Sequence, residues 1–186
     1  MTISTDDFRS AMRHLAGHVC LITTTDPDGS RNGLTATAVC SVSAEPPTLL
    51  CSVFTGTACN QSIQQSESFA VNVLALTDKN LADRFAGPIK GEERFEMGQW
   101  TTLKTGAPVL GSALAGFDCQ LIKTVEMNTH SILFGEIKAV NISRIQSKPL
   151  LYAHGNYGRF AGREAGSAAG VMRSSDWDFD SKDFFG

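Results

Sequence analysis

Residues 33–47 read GLTATAVCSVSAEPP: a glycine, then small, hydroxyl-bearing or weakly apolar side chains with one charge, Glu45, closed by two prolines and followed at once by the plainly hydrophobic TLLCSVF. The β-branched and alternating content predicts a strand. Its side chains are too small to fill a core, so the strand reads as a surface on which a flat ligand can lie, with backbone amides within reach. Alternation puts Thr35 and Thr37 on one face, and Ser41 and Ser43 on one face further along.

Working outward, VCLITTT before this stretch is a β-branched run, and the intervening DPDGSRNG is rich in turn residues, so the two segments predict a hairpin. Further upstream, Asp7 followed by FRSAMRHL predicts a capped helix ended by Gly17, with Phe8, Met12 and Leu15 sharing one face that packs on VCLITTT. Downstream, TLLCSVF predicts a strand buried on both faces, TGTACNQSIQQS a loop and short helix, and FAVNVLA another strand. LTDKNLADRFAG returns to helical spacing through Leu76, Leu81 and Phe85, and mixed loop containing GEERF runs to Trp100. FDCQLIKTVEM, HSILFGEIKAVNIS and PLLYAHGNYG supply three more strands, the first two separated by Asn128 and Thr129. The class is therefore mainly β with short helices, and connections too short for repeated crossover helices predict an antiparallel barrel rather than a doubly wound sheet.

At 186 residues the chain suits one domain, taken as 1–160, with a Gly/Ser-rich flexible tail over 161–186 whose acidic-aromatic end carries Trp177, Phe179, Phe184 and Phe185 as candidate docking groups. No apolar run approaches the roughly 18 residues of a membrane span, and the N-terminus lacks a signal-peptide stretch, so a soluble, cytoplasmic protein is expected. A net charge of −3 without a long basic run gives no case for nucleic acid. Five cysteines without CxxC or CxH spacing fit reduced, buried thiols, not a zinc site. Four histidines (His14, His18, His130 and His154) and no GxSxG elbow leave a serine hydrolase unsupported. His14 and His18 have helical ligand spacing but no second cluster, so they read as an exposed helix end and no metal is expected. Neither GxGxxG nor a Walker loop is present.

The segments FRSAMRHLAGHVCLITT, GLTATAVCSVSAEPPTLLCSV, FAVNVLA, LADRFAG, ERF, GAPVLGSALAGFDCQL, THSILFGEI and PLLYAHGNY, taken together over residues 8 to 160, resemble the short-chain flavin reductase family. The resemblance implies a split-barrel flavin-binding fold, a homodimer with flavin near the subunit interface, and a role as the NAD(P)H:flavin oxidoreductase that supplies reduced FMN or FAD to a separate oxygenase. By position it implies that Thr35, Ala36, Thr37 and Ala38 line the flavin ring, that Ser41, Val42 and Ser43 serve the ribityl and phosphate part, and that Ser52 and Val53 meet the ring's polar edge. It places Asn60 near the phosphate, Arg84 and Phe85 where a cation and an aromatic reach phosphate or nicotinamide, and His154, Gly155 and Tyr157 beside the flavin. The family's Gly-Asp-His signature is here Asn128, Thr129, His130, which keeps His130 as the nicotinamide contact, loses the acidic partner, and demands no acid-base residue. NADH is the expected donor, with NADPH open. Two alternatives stand beside this: a flavoprotein that keeps FMN and passes electrons to another acceptor such as a cobalt corrinoid, and a non-catalytic flavin-binding protein.

Overall fold

The run from Gly33 to Ser43 forms two strands, broken at Thr37 and Ala38, and this break organises the sheet. The computed structural model describes residues 2–144 and 147–160; the tail at 161–186, with its four aromatics, lies outside them. Helix α1 (Thr5–Met12) precedes β1 (Gly17–His18), β2 (Cys20–Thr25), β3 (Arg31–Ala36), β4 (Val39–Ala44) and β5 (Pro47–Phe54). Helix α2 (Ala58–Ser66), β6 (Ser68–Val73) and α3 (Lys79–Ala86) follow, then a 3-10 segment over Gly91–Glu96. The chain continues through β7 (Trp100–Thr102), β8 (Pro108–Leu110), β9 (Ala115–Met127), β10 (His130–Ile142), β11 (Leu151–Ala153) and β12 (Asn156–Gly158).

Seven strands make one antiparallel sheet in the order β3-β2-β6-β9-β10-β5-β4. Its two edge strands, β3 and β4, are therefore consecutive in the chain and separated by only Thr37 and Ala38. Two residues span at most about 10 Å between the strand ends, so the sheet must curl until its edges approach there. Alternate residues from across it converge on one cluster: Cys20 and Ile22, Leu49, Cys51 and Val53, Phe69 and Val71, Cys119, and Leu133, with α2 adding Cys59 and Ile63. The opposite faces of β2 and β6 pack under β7–β8 and α3 through Leu21, Leu74, Leu81, Phe85, Phe95 and Leu110. Burial on both faces is why CLITTT and SFAVNV are almost continuously buried.

The predicted β2–β3 hairpin is present, in register from Cys20 opposite Ala36 to Thr25 opposite Arg31. Three local expectations need correction. The helix cap is Ser4, whose hydroxyl accepts from the Asp7 amide at 3.0 Å; α1 stops at Met12, before Gly17, and buries no residue, leaving Phe8, Met12 and Leu15 exposed. Strand β5 is not buried on both faces, because Leu50 and Ser52 are only half-covered and Phe54 is 50% exposed at the strand end. His14 lies beyond the helix, edge-on to His154 with ring centres 4.7 Å apart, while His18 sits in β1.

Candidate functional site: a cleft between β3 and β5

Along β3 the side chains from Asn32 to Thr37 form one wall of a cleft of about 870 Å³, within the roughly 300–1,000 Å³ of small-molecule sites. Five residue steps of strand make that wall about 16 Å long. At one end stand Ala36, Thr37, Ala38, Ser52, Val53, Phe54 and His130, held together because the Ser52 amide donates to the Ala38 carbonyl at 3.0 Å and His130 is the register partner of Phe54. At the other end stand Asn32, Gly33, Lys90, Gly91 and Arg94. The first turn of α2 closes the side: Thr57 caps it by accepting from the Asn60 amide at 3.2 Å, and Ala58 and Cys59 line the cleft. Helix geometry leaves first-turn amides without intrahelical carbonyls and gives this end a partial positive charge.

The charge of the cleft is one-sided, for among the described residues no carboxylate lines it. Arg94 spends three donors on carbonyls, Nε on Ile89 at 2.6 Å and its terminal nitrogens on Gly87 at 3.1 Å and on Gly33, so its cation ties the 87–94 segment to β3 without being neutralised. Burial draws the Arg94 pKa below the usual guanidinium value, which still leaves it charged at neutral pH. Lys90 is exposed and makes no ion pair among the described residues. The Cys59 thiol is pushed up to about 12 by burial and is not a thiolate at neutral pH. Phe85 backs the cleft from a buried aromatic group, 5.1 Å from Phe95 and 5.6 Å from Trp100 between ring centres.

The structure thus brings Thr35, Ala36, Thr37, Ala38, Ser52, Val53, Phe85 and His130 to one cleft. Within a single chain it does not bring the other expected residues there. Ser41, Val42 and Ser43 lie on β4 at the far edge of the sheet, where a bulge between Ser41 and Ser43 breaks their alternation and the Ser43 hydroxyl bonds Glu45 backbone at 3.1 Å. Asn60 is turned into the core, donating to Ser131 Oγ at 2.9 Å. Arg84 points to the Glu93 and Arg94 carbonyls and pairs with Glu96 at 3.0 Å. His154, Gly155 and Tyr157 belong to the β11–β12 hairpin, which pairs with β1; Tyr157 packs near Lys79 and Asp83 on α3. Even Thr35 has its hydroxyl committed, donating to the Ala82 carbonyl at 2.7 Å, so only its body serves the wall. The acid missing beside His130 is replaced by a neutral partner, since Thr129 Oγ1 lies 2.9 Å from its Nδ1.

Sequence reading missed Asn32, Lys90 and Arg94. Only the ERF segment signalled the last, and the pairing that brings it to the cleft is long-range: Glu92 accepts from the Arg31 amide at 3.0 Å and from its guanidinium at 2.7 Å. Arg31 holds the Glu92 carboxyl below the usual carboxylate range. A lowered folded pKa contributes stability that is present above the unfolded value and is lost as pH falls through the folded one. The stability difference between wild type and Glu92→Gln, read from urea midpoints, is therefore expected to be present at neutral pH, to begin to shrink as pH drops below the ordinary glutamate value of 4.5, and to be gone only below the lower folded value. Because the pair is solvent-exposed, the difference at pH 7 should stay within about 1 kcal/mol.

A cleft with a wall of small residues at one end and, at the other, cations without an ion pair among the described residues has the size and charge to take a flat ring carrying an anionic tail. The chain matches the flavin reductase like domain over residues 12–161 and belongs to that family. It is 43% identical over 135 residues to the FMN reductase (NADH) RutF of Ancylobacter novellus, covering 73% of this chain and 74% of that one. Among solved structures it resembles the flavin reductase PheA2 at 33% identity, with a TM-score of 0.75 and coverage of 86% and 100%. It also resembles BorF, the flavin reductase component of a bacterial two-component tryptophan halogenase, at 27% identity, with a TM-score of 0.78 and coverage of 86% and 100%. No helix among the described residues is long and apolar enough to cross a membrane, and among them no group of three or more His, Cys, Asp or Glu is placed to hold a metal.

Proposed function

We propose that this chain is an NAD(P)H-dependent flavin reductase, with residues 1–160 as its split-barrel domain and the β3–β5 cleft as its flavin site. The observation that carries the reading is the cleft's polarity: small side chains over one end, Lys90 and Arg94 over the other, the α2 first turn along the side, and no carboxylate among the described lining residues. A flavin nucleotide fits these donors, its ring against Ala36, Thr37, Ala38 and Ser52, and its phosphate toward the cations. Bound there, flavin supplies the two-electron acceptor for a hydride from nicotinamide. The protein's task is to hold two rings within reacting distance and keep water away, for which it needs no acid or base. Phe54, half-exposed and 5.7 Å from His130 between ring centres, gives an aromatic edge at the open end of the ring site, and Thr129 orients His130 toward a nicotinamide laid there.

The 43% identical relative is an NADH-dependent FMN reductase, which supports NADH and FMN as the preferred pair. BorF serves a two-component halogenase, which supports export of reduced flavin to a separate flavin-dependent enzyme. A homodimer is supported by α1, whose Phe8 and Met12 are uncovered, followed by equally uncovered Leu15. Reduced-nicotinamide absorbance followed with FMN and FAD in turn tests the reading. Turnover saturable in added free flavin is expected; no NADH or NADPH oxidation with either flavin would overturn it.

A further inference from the structure

Asn32 occupies the basic end of the cleft, immediately before Gly33, whose carbonyl accepts from Arg94. Its side-chain nitrogen lies 2.8 Å from Asp26 Oδ2 and 3.0 Å from Ser62 Oγ. A carboxylate only accepts, so the atom facing Asp26 must be the amide nitrogen, and the orientation of the group is fixed by chemistry. Both amide hydrogens are then used inside the protein. The remaining atom, Oδ1, has no partner among the described residues and is not a buried orphan, so it is an accessible acceptor on a residue that lines the cleft. Donation to the Asp26 carboxylate also polarises the amide and strengthens Oδ1 as an acceptor.

An acceptor set among donors selects a particular group. Lys90 and Arg94 offer hydrogens to an anionic oxygen, whereas Asn32 Oδ1 repels one and takes a hydrogen from a hydroxyl. In a flavin nucleotide the groups between ring and phosphate are the ribityl hydroxyls. We infer that Asn32 is a specificity-determining residue of the cleft, accepting a hydrogen bond from a ribityl hydroxyl, with Asp26 and Ser62 as the residues that position it. The inference rests on the flavin reading above and adds to it the part of the flavin that is read.

Riboflavin, which has the ribityl chain without phosphate, and lumiflavin, which has the ring alone, separate the contributions. In fluorescence titrations Asn32→Ala is expected to weaken riboflavin about five- to tenfold, the value of one neutral hydrogen bond, and to leave lumiflavin unchanged. Ser62→Ala, which removes one of the two anchors and keeps Asn32, should show the same selectivity with a smaller factor. The inference is overturned if both ligands weaken equally, or if neither changes, in variants whose circular dichroism matches wild type. Should wild type bind none of lumiflavin, riboflavin and FMN, the flavin reading itself falls; should wild type bind riboflavin or FMN and Asn32→Ala be indistinguishable from it with that ligand, only the ribityl assignment falls.

Discussion

Replacing Arg94 with alanine is expected to weaken FMN binding on the order of a hundredfold, about 3 kcal/mol. Two effects add. A guanidinium has five N–H donors, and Arg94 spends three on the carbonyls of Gly87, Ile89 and Gly33, leaving two to meet a phosphate at the cleft's basic end. The substitution removes those donors and the charge. It also leaves three carbonyls without their shared partner and removes one of the ties of the segment carrying Lys90 and Gly91 to β3, leaving the Arg31–Glu92 pair, so the opposite wall loosens. Arg94→Lys should recover little, because a single ammonium cannot reach three divergent carbonyls as the planar fork does. Lys90→Ala, which removes an exposed cation outside that network, should cost far less. Titrations of FMN and riboflavin divide the two effects: the part due to phosphate appears with FMN only, and the part due to the wall appears with both. An Arg94→Ala protein that binds FMN as wild type does would remove Arg94 from the site.

The contrast between Arg94 and Arg84 shows what a sequence can and cannot place. Both lie within short helical segments, and family position favours Arg84, yet Arg84 turns to the Glu93 and Arg94 carbonyls while Arg94 reaches the cleft. Which one does so depends on the 3-10 segment being pulled to β3 by Glu92 and Arg31, a contact across 61 residues with no local signature. Strand identities were legible because β-branched content and turn chemistry are local: VCLITTT, FAVNVLA, and the long segments read from Phe117 and His130 all fall in strands. The small-residue wall was legible for the same reason, since Thr35 to Ala38 announce missing bulk directly. Sheet order was not, and it separates Thr37 from Ser41, because GLTATAVCSVS looks continuous while its halves sit on opposite edges. Ser41 and Ser43 failed as a same-face pair for a further local reason, the bulge between them.

A buried amide carries the second large effect. Asn72→Leu is expected to destabilise the fold by about 2–4 kcal/mol although leucine has the same number and branching of side-chain heavy atoms as asparagine. Asn72 is fully buried, accepts from the Leu110 amide at 2.8 Å, and directs its nitrogen to Thr23 Oγ1 at 3.1 Å and to the Leu21 and Pro108 carbonyls at 3.4 Å. Thr23 in turn donates to the Pro108 carbonyl at 2.6 Å. These two side chains attach the short strand β8 to the outer face of β2 and β6. Leucine would leave the Leu110 amide buried without an acceptor, the costly half of a lost hydrogen bond. Thr23→Val should cost about 1–2 kcal/mol, and the double variant less than the sum of the two, because both side chains address Pro108. Urea midpoints with unchanged slopes measure all three; strict additivity would show that the two side chains act independently. Leu110 packs in the same buried cluster as Phe85 and Phe95, so a loosened β8 withdraws support from the aromatic backing of the cleft. Flavin affinity of the Asn72→Leu protein should therefore fall as well, by less than in Arg94→Ala, and equally for FMN and riboflavin because the phosphate end keeps its cations.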